Sequence, residues 1–150
     1  MDRINQYKAM KDKHQQEVNA FPIAFAFNNE QFARGMAQLG LTPEDTDKVY
    51  GLAGTGGFYR REDAPRFGEM LNRHEADIKS AIAADPAGDG FIFDMFDYEL
   101  RNHEYTYTND LTDTLEALDL TPRDIDKDER LLRGLKKAIK AQKYWASHNA

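Results

Sequence analysis

The 150-residue chain contains no cysteine, which excludes disulfides, thiolate nucleophiles and zinc–cysteine sites. Serine is almost as scarce. Ser80 and Ser147 are the two present, and neither lies in the Gly-x-Ser-x-Gly turn that exposes a hydrolytic nucleophile. Long apolar runs are missing as well: the longest, residues 21–27, is far too short to span a bilayer. Residues 1–5 are polar and carry no signal-peptide core, so a cytoplasmic location is expected.

Motifs that need particular spacings also fail. A phosphate loop requires Gly-Lys-Ser/Thr at its end, whereas Gly56-Gly57 leads into Phe58-Tyr59. Its glycine amides could still face an anion beside Arg60 and Arg61, but a hairpin turn explains them more simply. A calcium loop opening at Asp85 would place Ala87 and Phe96 where carboxylates must coordinate. Zinc-protease spacing breaks at Ile78 after His74-Glu75 and at Tyr107 after His103-Glu104. The expectation is a non-enzyme with no catalytic residue, no cofactor and no metal.

What is present is charge, unevenly spread. The net charge is −6. From Arg130 onward there are six Lys/Arg and no Asp/Glu, leaving 14 basic against 26 acidic side chains in 1–129, a net of −12. Such a body repels nucleic-acid phosphates, so direct nucleic-acid binding is not expected of it. Residues 110–129 alone carry −6, with Asp110, Asp113, Glu116 and Asp119 at every third position and Asp124 and Asp126 following. Closely spaced carboxylates can imitate a phosphate backbone, although a solvated face is the commoner meaning of such a run.

Apolar periodicity predicts a mainly α, α+β domain spanning 1–150, with about six amphipathic helices and a small β-hairpin. A first helix runs from Asp2 to Asn19. Residues 22–27 read as a strand or a connector, and Asn28 or Asn29 caps a helix bearing Phe32, Met36 and Leu39. Thr42-Pro43-Glu44-Asp45 restarts the helix, and the hairpin follows over 49–60. Asp63 caps the clearest helix, which ends at Asp85-Pro86. Further helices span 91 to about 105, 110–119 and about 128–147. The corner 39–48 repeats at 118–127 with seven of ten residues identical. The stretch 33–50 has a helix-turn-helix outline, yet Glu44, Asp45 and Asp47 would crowd the end that must meet DNA.

On the helix from Phe91, Asp94, Asp97, Arg101 and Glu104 project to the predicted solvent side. Glu99, Asn102 and His103 fall among the apolar residues, with Glu99 and His103 one turn apart. A buried carboxylate needs a partner, so Glu99, Asn102, His103, Tyr98 and Tyr105 form the candidate polar cluster, either a register-fixing knot or an acid/base or metal-binding pair. The last helix places Arg133, Lys136, Lys137, Lys140 and Lys143 opposite its apolar side, with Trp145 placed as an anchor. A core-packed terminal helix and a regulatory adaptor helix share this pattern.

The phrases Phe25-Ala26-Phe27-Asn28-Asn29-Glu30-Gln31-Phe32, Gly56-Gly57-Phe58-Tyr59-Arg60-Arg61-Glu62-Asp63-Ala64 and Tyr98-Glu99-Leu100-Arg101-Asn102-His103-Glu104-Tyr105 carry a resemblance. The chain resembles an uncharacterised family of short proteins from phages and conjugative elements of gut bacteria, a domain of unknown function, over roughly Tyr7 to Ile139. The resemblance implies a mobile-element setting, where small accessory proteins often counter host defences, and it brings no catalytic residues.

Joined to the acidic body, this gives the functional expectation. The chain is read as a non-catalytic binding protein of the anti-CRISPR or anti-restriction type. It would dock on a nucleic-acid-handling host protein such as a defence nuclease, without a membrane. The alternatives are a small enzyme or metal-binding protein using Glu99 and His103, or an adaptor working through the basic C-terminal helix.

Overall fold

A computed structural model describes residues 3–149; the expected helix start at Asp2 lies outside them. Among the described residues the fold is mainly helical with a small antiparallel sheet, in the order α1 (Gln6–Ala20), β1 (Ile23–Phe25), α2 (Asn29–Gln38), β2 (Val49–Leu52), β3 (Gly57–Arg60), α3 (Ala64–Ala83), α4 (Phe91–Asn102), α5 (Tyr105–Thr108), α6 (Thr112–Ala117), α7 (Pro122–Lys127) and α8 (Glu129–Asn149). The chain divides into two compact units, one of residues 14–75 and one of residues 1–13 with 76–150.

In the unit of residues 14–75, β3 is the central strand of a sheet ordered β1-β3-β2. Ala24 faces Phe58 across one antiparallel pair and Tyr50 faces Tyr59 across the other. Residues 22–27 thus supply the third strand of the sheet. The Asn28 side chain accepts from the Gln31 amide and caps α2, whose Met36 joins Ala24, Leu39 and Phe58 in a small core. Gly54 and Gly56 both have positive φ, the conformation a tight β-turn demands and side chains resist.

The Thr42 corner does not restart a helix, contrary to expectation. Asp45 accepts from the Thr42 amide and hydroxyl, and a single 3-10 turn at Thr46–Lys48 leads straight into β2. No recognition helix follows α2, which removes the helix-turn-helix outline. The near-identical corner at Thr121 does form a capping box and opens α7. The difference lies in what comes next: Val49-Tyr50 is strand-prone and pairs with β3, whereas Asp128 leads into α8.

The other unit is organised around α4, whose Phe91, Ile92, Met95, Phe96 and Leu100 are buried with Tyr7, Leu115, Ile125, Leu131, Leu135 and Ala138. The expectation that Asp94 lies on a solvated side is wrong. Asp94 is buried, its carboxylate accepting from Arg3 and from the Gln6 amide, while its carbonyl takes the Asn5 side chain. Helix periodicity could not reveal this, because it does not show the N-terminal segment crossing that side. Nor does the helix continue to Tyr105. His103 is its C-cap, and Glu104 turns left-handed at φ 55° before α5 begins.

Two glycines test the packing in opposite senses. A Cβ on Gly134 of α8 would lie 2.5 Å from Ile92 Cγ2 and 2.6 Å from the Gly88 carbonyl oxygen. A Cβ on Gly68 of α3 would meet nothing within 4 Å. Alanine gains about 1 kcal/mol of helix propensity at either site, but overpacking a rigid contact costs up to about 3 kcal/mol. Urea unfolding should therefore show Gly134→Ala destabilised by about 2 kcal/mol and Gly68→Ala slightly stabilised.

Candidate functional site

Glu99 is 1% exposed. Stripping water from a carboxylate costs several kcal/mol unless a partner compensates, and two groups approach it here. Lys11 Nζ of α1 lies 3.6 Å from Oε1, and His103 Nε2 lies 3.7 Å from Oε2. Both distances exceed a good hydrogen bond. Glu99 Oε1 and His103 Nε2 indeed have no hydrogen-bond partner among the described residues, and the Lys11 ammonium is the permanent charge beside the carboxyl group.

Aromatic walls complete the cluster. Tyr7 meets Tyr98 edge-on with ring centroids 5.6 Å apart, and the Lys11 ammonium lies 5.5 Å from both ring centres, within cation–π range. Burial, and then the Glu99 charge, hold the Tyr7 phenol far above its ordinary value, so it stays protonated. The last turn of α4 sets this pair: the His103 amide donates to the Glu99 carbonyl, which places the imidazole one turn from Glu99 on the same side of the helix.

The structure therefore brings together Glu99, His103 and Tyr98. Tyr105 is buried in the same core, but Asn102 is exposed and does not belong to the inward set. The sequence reading missed Lys11 and Tyr7. The signal was present, because Lys11 follows Tyr7 by four residues on the stripe that α1 turns inward. It missed a second arrangement in the unit of residues 14–75, where the His14 and His74 rings stack 3.9 Å apart and His74 Nε2 lies 3.5 Å from Glu17. Arg73 also pairs with Glu17. Among the described residues no group of three or more His, Asp or Glu could hold a metal ion, and no helix is long and apolar enough to cross a membrane.

All six acidic candidates, Asp110, Asp113, Glu116, Asp119, Asp124 and Asp126, are exposed. Local bonds fix two of them as carboxylates. Asp110 accepts from the Thr112 hydroxyl and amide, and Asp124 from the Thr121 amide, which lowers both below the usual carboxylate range. Asp110 precedes α6 and Asp124 lies in α7, and this segment with Leu132 and Leu135 of α8 lines a cleft of about 550 Å³ whose leucine-rich wall includes Asp110, Glu116 and Asp126. That size is typical of a binding site.

The basic face of α8 is partly spent on the same unit. Arg133 donates to the Ala87 carbonyl, Lys137 lies 3.8 Å from Asp89, and the Arg101 guanidinium covers Trp145 at 5.2 Å. Lys136, Lys140 and Lys143 are exposed.

No curated protein and no solved structure matches the chain. A family model, described as a family of unknown function (DUF7659), matches residues 6–141. The match covers α1 and runs well into α8, including both the buried Glu99 cluster and the acidic segment. The chain belongs to the DUF7659 family of unknown function.

Proposed function

We propose that the protein is a non-catalytic binding module that docks the acidic α6–α7 face onto a basic surface of a partner protein. The observation that supports this is the exposure of all six carboxylates of the segment, with Asp110 and Asp124 held charged by their own turns. A nucleic-acid-handling protein fits as partner, because its groove is already built to attract closely spaced negative charge. In a mobile-element setting such docking would make the chain a counter-defence inhibitor working in the cytoplasm.

The experiment is a pull-down from cells of the native source, eluted along a NaCl gradient and followed by nuclease assays on what elutes. The expected result is a partner released between about 0.1 and 0.5 M salt, where exposed charge attraction is screened. A chain with Asp110→Asn, Glu116→Gln and Asp126→Asn should bind at least tenfold more weakly. Retention that ignores both salt and the triple substitution rejects the reading.

A second reading has its own observation, the unbonded polar atoms of Glu99 and His103. As an acid/base pair they would need to meet a substrate. Glu99→Gln with His103→Gln should then abolish whatever activity is found, while leaving partner capture unchanged.

A further inference from the structure

We propose that the cleft between α6, α7 and α8 receives one edge of a basic amphipathic helix from the partner protein. The proposal rests on the α6–α7 face being the docking surface and adds what enters it. A purely electrostatic surface needs no apolar opening, yet this face has one. Leu111, Leu115 and Leu120 lie among its lining residues, Leu111 and Leu120 only partly buried, and Asp110, Glu116 and Asp126 lie there with them. No lysine or arginine lines the cleft, although Arg123 and Lys127 belong to α7 itself.

That lining selects its occupant by complementarity. An acidic helix is repelled, and a polar basic strand leaves the leucines wet. A helix with leucine-like side chains at i, i+3, i+4 and lysine or arginine beside them satisfies both parts at once. Nucleic acid is disfavoured by the same carboxylates.

The probe is an 18-residue synthetic helix of leucine and lysine in that spacing, labelled and titrated with the full chain by fluorescence anisotropy in 0.15 M NaCl. Two control peptides are used: one replaces every leucine by alanine, and one replaces every lysine by glutamate. Two protein variants are used: Leu120→Trp, which fills the cleft from its partly buried wall and leaves the bonds of Asp110 and Asp124 intact, and the triple neutral variant described above.

The proposal expects micromolar binding of the leucine–lysine peptide, weakened at least tenfold by either control peptide and by either variant. If the alanine peptide binds as well as the leucine one, the cleft is not used and the proposal is overturned, while the acidic docking face stands. It is likewise overturned if Leu120→Trp, confirmed folded by circular dichroism, binds unchanged. If the triple variant also binds unchanged, the charge reading falls as well. Absence of any binding overturns the insertion proposal, and the pull-down then decides the docking face independently.

Discussion

Replacing Asp85 by alanine should cost about 4 kcal/mol, among the largest losses from any single substitution in the chain. Asp85 follows the end of α3, and its carboxylate accepts from the amides of Gly88, Gly90 and Ile92, each at 3.0 Å. It therefore fills the amides of the turn and of the first residues of α4, the helix that carries the core. Each buried amide left without an acceptor costs about 1–3 kcal/mol, and a cap alone contributes about 1 kcal/mol. Gly88, held in the same turn at φ 79°, packs so close to Arg130 that a Cβ there would lie 2.3 Å from the Arg130 carbonyl oxygen. Arg130 in turn donates to the Ile82 and Asp85 carbonyls, so α3, the turn and α8 share one knot.

The knot also predicts a pH dependence. Burial alone would raise the Asp85 carboxyl, but the amides of Ile92, Gly90 and Gly88 outweigh it and hold the group below its ordinary value. A carboxylate lowered on folding contributes its full stability above the unfolded value, near about 3.9. The contribution fades as pH falls through the native value. Asp63, which accepts from Arg60 and Arg66, is lowered too. The Asp85 part is therefore read as the difference between wild type and Asp85→Asn. Urea midpoints measured from pH 7 to pH 2.5 should show that difference constant above pH 5 and shrinking below pH 4. A difference that grows on acidification contradicts the assignment.

The second large effect concerns Lys11. Lys11→Met removes the ammonium 3.6 Å from Glu99 and leaves the carboxylate with the His103 ring alone. Stranding a buried charge costs about 3–5 kcal/mol. The partial exposure of Lys11 puts the expected loss at the lower end, about 3 kcal/mol. Adding Glu99→Gln to Lys11→Met should recover about 2 kcal/mol, because the stranded charge is then gone. This double-mutant cycle separates ion pairing from the packing of the lysine stem. A doubly substituted chain no more stable than Lys11→Met would show that the contact is packing alone.

Much of this architecture is written in apolar spacing, and its departures have physical causes. The stripe on α3 and the arc on α4 mark helices that the structure contains, and Glu99 is buried as its place in that arc requires. Asp94 was not legible as a buried residue, since only the Arg3–Gln6 segment lying across α4 makes it so. Asn102 lies on the same projected arc as Glu99, yet the helix ends there and the side chain escapes to solvent. The corners at Thr42 and Thr121 use nearly the same residues for different structures, because strand pairing of Val49–Leu52 overrides the local cap. Lys11 stands one turn from Tyr7 on the inward stripe of α1, but a lysine there reads as solvent-facing until the carboxyl group of Glu99 is seen beside it. The acidic segment was visible as charge, but the cleft beside it depends on how three helices meet.

The most direct test of the docking face is residue-resolved. Amide chemical shifts of the isotope-labelled chain are followed while the leucine–lysine helix is added in 0.15 M NaCl. Shifts confined to residues 110–126 and to the Leu132–Leu135 turn of α8 are the predicted result, fading as salt is raised. Shifts spread evenly over acidic side chains elsewhere, such as Asp12, Glu30 and Glu69, with none concentrated on α6 and α7, would contradict it.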